Sequence, residues 1–119
     1  MTEPNRIPSE ENYIAAVLQF YVDLPETPSY PRPPDRHCAS EMCRREIPLV
    51  TVESALLLAS ARRLGRPPEA APLPPIRSLA YFVPIVEELL EQPLPAGYDD
   101  YLREKVGLLA ERHTGKKRR

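Results

Sequence analysis

The most reactive side chains in this chain of 119 residues are two cysteines, Cys38 and Cys43, which lie close to His37. On a helix, a separation of five positions turns two side chains about 140° apart, and a disulfide between them would distort the helix. A zinc site needs four ligands, and only the distant His113 could join these three. The pattern therefore predicts buried free thiols and no metal site.

Serines, acids and glycines do not combine into a catalytic pattern. Ser40, Ser54 and Ser60 fall inside predicted helices rather than on the sharp turn that exposes a nucleophile. The adjacent acids Glu87–Glu88 and Asp99–Asp100 point about 100° apart on a helix, which favours a solvated face over a cation site. The four glycines lack the spacing of a phosphate-binding loop. We therefore expect no enzyme activity and no bound cofactor.

Arginines near the middle of the chain offer a different chemistry, the binding of phosphate groups. Such contacts give a protein affinity for nucleic acid without sequence choice, and they weaken with salt. Tyr81 or Phe82, close to Arg77, can add a stacking surface, although aromatic residues on an apolar stripe usually belong to the core. The candidate nucleic-acid-binding residues are Arg44, Arg45, Arg62, Arg63, Arg66, Arg77, Lys116, Lys117, Arg118 and Arg119.

Five predicted helices must position these side chains. Apolar residues recur at helical spacing, and no stretch alternates with the two-residue period of a strand. The predicted helices lie near residues 9–24, 34–46, 49–64, 77–91 and 97–111. The third is apolar on nearly every side and should be the central helix. The predicted fold is thus an all-α, compact bundle of about five helices.

Local signals mark several helix ends. Ser9 has the side chain of an N-cap for the first helix. Gly65 suits the left-handed position that ends many helices, and Pro67 with Pro68 prevents continuation. Pro84 stands inside the fourth segment, where it removes a backbone donor and predicts a kink or a separate first turn.

Two proline-rich links connect the helices, Pro25–Pro34 and Pro67–Pro75. We expect both to be stiff and extended, because proline fixes one backbone angle and cannot donate to a regular hydrogen-bond ladder. Pro31 and Pro34 also have the PxxP spacing that proline-binding domains recognise, which is an alternative to a plain loop.

Length and composition limit the chain to one modest core, since 42% of its residues are hydrophobic and 28% are charged. We predict a flexible N-terminus (1–8), one helical domain (9–111) and a disordered basic tail (112–119). The longest apolar run, Ala55–Ala59, is far shorter than the roughly 20 residues of a membrane span. The start of the chain lacks the pattern of a signal peptide, so we expect a cytoplasmic protein with no membrane partner.

A formal net charge of −1 conceals a segregation of charge along the chain. The net charge is −4 over residues 1–31, +3 over 32–77, −5 over 78–111 and +5 over 112–119. Such segregation can come from contacts between oppositely charged segments, from a face that binds a polyanion, or from a solvated tail.

The middle of the chain carries a resemblance to a known family. Its elements are Asp35, a short helix, Ile47-Pro48-Leu49 with Val52-Glu53, an alanine-rich helix ending Ala61-Arg62-Arg63, and the run Pro75 to Phe82. This order resembles the DnaD-like helical domain of bacterial replication-initiation proteins and covers about half of the chain. It is also similar to small, uncharacterised bacterial all-helical proteins with the same Ile-Pro-Leu and Ile-Arg-Ser-Leu pairing. The proline-rich links, Pro84 and the fifth helix depart from the DnaD-like pattern.

Two functions follow from these observations. The resemblance implies a bacterial protein that associates with DNA during replication loading, hence a non-catalytic accessory DNA-binding or replication-associated module. The alternative is a protein–protein interaction adaptor, homodimeric or with another partner. The arginines discriminate between them: one shared exposed face would favour DNA, whereas pairing with Glu53, Glu87 or Glu88 would indicate a structural role.

Overall fold

Each of the five predicted helical segments contains a helix in the computed structural model, which describes residues 9–114. The α-helices are α1 (Glu10–Asp23), α2 (Pro33–Arg44), α3 (Leu49–Leu64), α4 (Val83–Glu91) and α5 (Tyr98–Thr114), and a short 3₁₀ helix (Leu79–Phe82) precedes α4. Residues 9–114 contain no strand, so the all-α prediction is confirmed.

The central position of α3 is also confirmed. This helix packs against α1, α4, α5 and the 3₁₀ helix, whereas α2 packs mainly against α1 and the 3₁₀ helix. Val52, Ala55 and Leu56 on α3 are fully buried. Small residues such as Ala55 and Ala59 let neighbouring helices approach α3 closely, because they project little beyond the backbone.

Two aromatic rings join the first helix to the segment that follows the second proline-rich link. Tyr21 of α1 and Phe82 of the 3₁₀ helix are fully buried, and their rings meet edge to face with centroids 6.0 Å apart. Such a pair contributes about 0.5–1.5 kcal/mol beyond the burial of its apolar area. It therefore helps to hold the 3₁₀ helix against the bundle.

The end of α3 differs from its prediction. Gly65 has a φ of −87°, so it is not left-handed. Its amide donates to the carbonyl oxygen of Ala61 at 2.9 Å, and a Cβ built on Gly65 would lie 2.9 Å from that same oxygen. Glycine is thus needed here for a close backbone approach rather than for a positive φ.

Pro84 produces a separate first turn, as predicted. It occupies the second position of α4, where an amide would have no partner within the helix. The preceding turn closes as the 3₁₀ helix. Ser9 likewise acts as the N-cap of α1, because its hydroxyl accepts a hydrogen bond from the amide of Asn12 at 3.3 Å.

The chain ends lie partly outside the structure. The predicted flexible segment 1–8 is outside the described residues. The backbone of α5 continues to Thr114, three residues beyond its predicted end, and the rest of the predicted tail is not described. Among the helices that are described, none combines the length and the hydrophobicity that crossing a bilayer requires.

Candidate binding surface at the end of the central helix

Two candidate arginines join other helices to α4 through paired hydrogen bonds. Arg45, directly after α2, donates to both carboxylate oxygens of Glu87 at 2.7 and 3.1 Å. Arg62 on α3 does the same to Glu88 at 3.0 and 2.6 Å. These bonds hold the pKa of each glutamate below its ordinary value. Both pairs are partly exposed, so their energetic contribution is modest.

Arg63 has a different environment, because only 8% of its side chain is exposed. Its guanidinium donates to Glu26 at 2.6 Å and to the backbone carbonyl of Pro74 at 2.7 Å. It also lies over the ring of Tyr81, 5.6 Å from the centroid. Arg63 therefore connects the end of α3 to both proline-rich links and to the 3₁₀ helix.

The other candidates divide into paired, unpaired and undescribed residues. Arg44 pairs with Glu41 of its own helix at 3.1 Å. Arg66 is half-buried and Arg77 is exposed, and neither forms a hydrogen bond or an ion pair with residues 9–111. The candidates Lys116, Lys117, Arg118 and Arg119 lie outside the described residues.

These pairings bear on the two predicted functions. Glu87 and Glu88 both bind candidate arginines, whereas Glu53 lies 3.9 Å from Arg103 on α5 instead. Over residues 9–111 the chain carries ten lysines and arginines against sixteen aspartates and glutamates, a formal charge of −6. The folded part is thus acidic, and four of its six candidate arginines are bonded to glutamates.

An open groove lies where α3 ends. It has a volume of about 350 Å³, and its apolar lining comes from Ala59, Leu73, Tyr81, Pro84 and Ile85. Arg62, Arg63 and Arg66 line its polar side. A second cavity of about 300 Å³ lies beside the second proline-rich link and shares Arg63, Arg66 and Leu73 with the first. We call the two together the arginine groove.

The 3₁₀ helix determines which aromatic side chain faces this groove. Residues three apart eclipse one another on such a helix, so Leu79 and Phe82 both point into the core and are fully buried. Tyr81 points outward and is 41% exposed, with its ring edge-on to that of Phe82 at 5.0 Å. Of the two aromatic residues considered for stacking, Phe82 belongs to the core and Tyr81 to the surface.

Asp35 is a structural residue whose main contact the sequence does not reveal. It is 1% exposed, and its two carboxylate oxygens accept from the backbone amides of Leu79 and Arg32, each at 2.9 Å. Asp35 thereby anchors the 3₁₀ helix and positions Tyr81. The Pro-Pro-Asp start of α2 gives a partial signal, since the two prolines have no amides and leave the carboxylate free for another donor.

The cysteines are free thiols, but they are half-buried rather than buried. They lie at the edges of the apolar stripe of α2 and pack against the core from there. Burial raises the pKa of Cys38, and the nearby carboxylates of Asp35 and Glu41 raise it further. Within the described part of the chain, no three potential metal ligands lie together.

Comparison of the chain with known protein families, with curated proteins and with solved structures gives no match in any of the three. The resemblance to the DnaD-like domain therefore stays a prediction.

Proposed function

We propose that this protein is a non-catalytic interaction module that holds a segment of another protein in the arginine groove. The observation that carries the proposal is the combination of exposed apolar side chains, Leu73 at 40% and Tyr81 at 41%, with Arg66 beside them, which has no ion-pair or side-chain hydrogen-bond partner among residues 9–111. A concave apolar surface with a few polar groups is the usual form of a binding site.

Prolines in both walls restrict the backbone of the groove, which suits it to binding a peptide. The prolines of the second link fix the backbone on one side, and Pro84 fixes the start of α4 on the other. Tyr81 is held by Phe82 and by Arg63. Side chains that are already ordered lose little entropy when a partner binds, which improves affinity.

DNA binding remains a second candidate, and a specific feature supports it. The last eight residues carry a formal charge of +5, and Arg66 and Arg77 are unpaired within residues 9–111. Against it, phosphates that approach Arg45 or Arg62 must compete with Glu87 or Glu88, and residues 9–111 have a formal charge of −6. The protein-interaction hypothesis therefore takes first place.

Two experiments on the full chain test whether the folded part binds a protein segment or DNA. The first is fluorescence anisotropy with labelled single-stranded and duplex DNA over a salt series, on the wild type and on a variant with Lys116, Lys117, Arg118 and Arg119 changed to Gln. We expect any DNA binding to be salt-sensitive and to vanish in that variant. Binding that persists there and falls when Arg66 and Arg77 become Gln would favour DNA as the ligand of the folded part.

The second experiment is selection of a displayed peptide library against the wild-type chain. We expect enriched peptides to lose affinity when Leu73→Glu places a charge in the groove. Leu108→Glu is the matched control, because Leu108 is 61% exposed on α5 and does not line the groove. A library with no enriched peptide, or peptides indifferent to Leu73→Glu, would contradict the proposal.

A further inference from the structure

The three arginines that line the arginine groove differ in their partners within residues 9–111. Arg62 and Arg63 also line the groove, but their guanidinium groups are bonded to Glu88 and Glu26. Arg66 has no hydrogen-bond or ion-pair partner among residues 9–111. A guanidinium presents five donors in a planar fork that matches the two oxygens of a carboxylate.

We propose that the groove selects a peptide segment in which one apolar side chain lies close to a single carboxylate, and that Arg66 binds the carboxylate. This inference rests on the proposed function and specifies its ligand. Arg66 lines both cavities that form the groove, and so does Leu73. The carboxylate therefore lies at their junction, while the apolar side chain enters the larger cavity against Tyr81, Pro84 and Ile85.

The charges around the groove favour a single carboxylate over phosphate groups. Glu26 lines the smaller cavity, and Glu88 is bonded to Arg62 on the wall of the larger one. A phosphate carries more charge than a carboxylate, and a nucleic acid brings several phosphates. Among residues 9–111, Arg66 is the one groove-lining cation without a partner to offset that charge, so the glutamates would repel a polyanion. A single carboxylate instead meets Arg66 with equal and opposite charge.

The test uses an array of acetylated and amidated octapeptides probed with the labelled full chain. Each peptide carries one Leu or Phe and, at one to three positions from it, Asp, Asn, phosphoserine or Lys. We expect Asp peptides to bind about tenfold more tightly than their Asn counterparts, since a charge-assisted bond at a partly exposed site is worth roughly one factor of ten. Arg66→Gln should abolish that preference. Arg77→Gln is the matched control, because Arg77 is also unpaired within residues 9–111 but does not line the groove.

Each outcome separates this inference from the proposed function. If the Arg66→Glu variant bound Lys peptides more tightly than Asp peptides, that reversal would support the inference. Peptides that bind through their apolar residue, lose binding in Leu73→Glu and show no preference for Asp would overturn the inference and leave the proposed function intact. A preference for phosphoserine over Asp that Arg66→Gln removes would overturn it in favour of a phosphate ligand. Absence of any binding that depends on Leu73 would overturn both.

Discussion

At the residue scale, two tyrosines on α1 have the same burial but different hydroxyl partners. Tyr13 and Tyr21 are both fully buried. The hydroxyl of Tyr13 donates to the carbonyl oxygen of Ile47 at 2.7 Å, whereas the hydroxyl of Tyr21 has no partner in the described structure. Burial raises the pKa of each to about 12, with a further rise from Cys43 for Tyr13 and from Asp35 for Tyr21.

This difference gives a prediction for two identical substitutions. Tyr13→Phe should lower the free energy of unfolding by about 1–2 kcal/mol, because it leaves the buried Ile47 carbonyl without its donor. Tyr21→Phe should be neutral or stabilising, because it removes an unpaired polar atom from the core. Urea unfolding followed by circular dichroism measures both. Equal losses in the two variants would show that the hydroxyl groups are in similar environments.

Glu53 predicts a stability that depends on pH. Burial raises its pKa, and Asp99 raises it further against the opposing effect of Arg103. The folded chain therefore holds this proton more tightly than the unfolded chain does. At neutral pH the ionised carboxylate of Glu53 opposes folding, whereas at a pH below the ordinary pKa of glutamate the carboxyl group is protonated and does not oppose it. Glu53→Gln should raise the free energy of unfolding on the order of 0.5 kcal/mol at pH 7, since solvent screens a partly exposed group.

The gain in the free energy of unfolding from Glu53→Gln should be absent at pH 3, where Glu53 is protonated in both the folded and the unfolded chain. Glu104→Gln on the exposed face of α5 is the matched control for the loss of one carboxylate. Urea unfolding of the three proteins at both pH values provides the comparison. A gain of similar size at pH 3, or in Glu104→Gln, would rule out the burial of Glu53 as its cause.

At the element scale, the 3₁₀ helix depends on a contact with the start of α2. The carboxylate of Asp35 accepts from the amides of Leu79 and Arg32. Asp35→Ala leaves two donors without this acceptor and should cost about 2–4 kcal/mol, whereas Asp35→Asn keeps one acceptor and should cost less. Asp100→Asn on α5, which is exposed, should change stability by only a few tenths of a kcal/mol.

Native-state hydrogen exchange shows where in the structure the Asp35 substitutions reduce stability and by how much. The amide of Leu79 should lose protection in both Asp35 variants, because its acceptor is removed or weakened. The amides of α5 do not bond to Asp35, and their protection should change only through global stability. Unchanged exchange at Leu79 would mean that Asp35 does not hold the 3₁₀ helix in place.

Sequence periodicity was sufficient to predict where the helices lie but not the backbone conformation at their ends. The apolar stripe of α3 needs only a period of 3.6 residues to be found, and its burial follows from having apolar residues on nearly every side. The φ of Gly65 could not be found this way, because it depends on the path of the following chain rather than on local propensity. The separate turn before Pro84 was predictable, since proline lacks an amide whatever surrounds it.

At the scale of the whole molecule, residue type identified the arginines and offered Glu53, Glu87 and Glu88 as partners, but it could not show which arginine pairs with which glutamate. Arg45 and Arg62 pair with glutamates 42 and 26 positions further along the chain. Which residues pair over such separations depends on how α4 packs against its neighbours, and no local sequence pattern encodes that packing. For the same reason, the sequence could not show that Arg66 is unpaired within residues 9–111 or that the second proline-rich link forms one wall of a groove.

Arg62 and Arg63 are adjacent on α3, and their shortest bonds to a glutamate have the same length. Arg62 and Arg63 each approach a carboxylate oxygen to 2.6 Å, but the exposed fraction of the side chain is 51% for Arg62 and 8% for Arg63. Distance alone would predict equal effects on stability. Burial predicts otherwise, because water replaces the partner of an exposed charge at little cost.

Arg63→Met should lower the free energy of unfolding by about 2–3 kcal/mol, since Glu26 and the carbonyl of Pro74 both lose their donor. Arg62→Met should cost less than about 1 kcal/mol. Urea unfolding measures the costs, and hydrogen exchange in residues 70–82 should rise in Arg63→Met beyond the change in global stability. Equal costs would mean that the second proline-rich link and the 3₁₀ helix keep their places without Arg63, and that the shape of the groove has another origin.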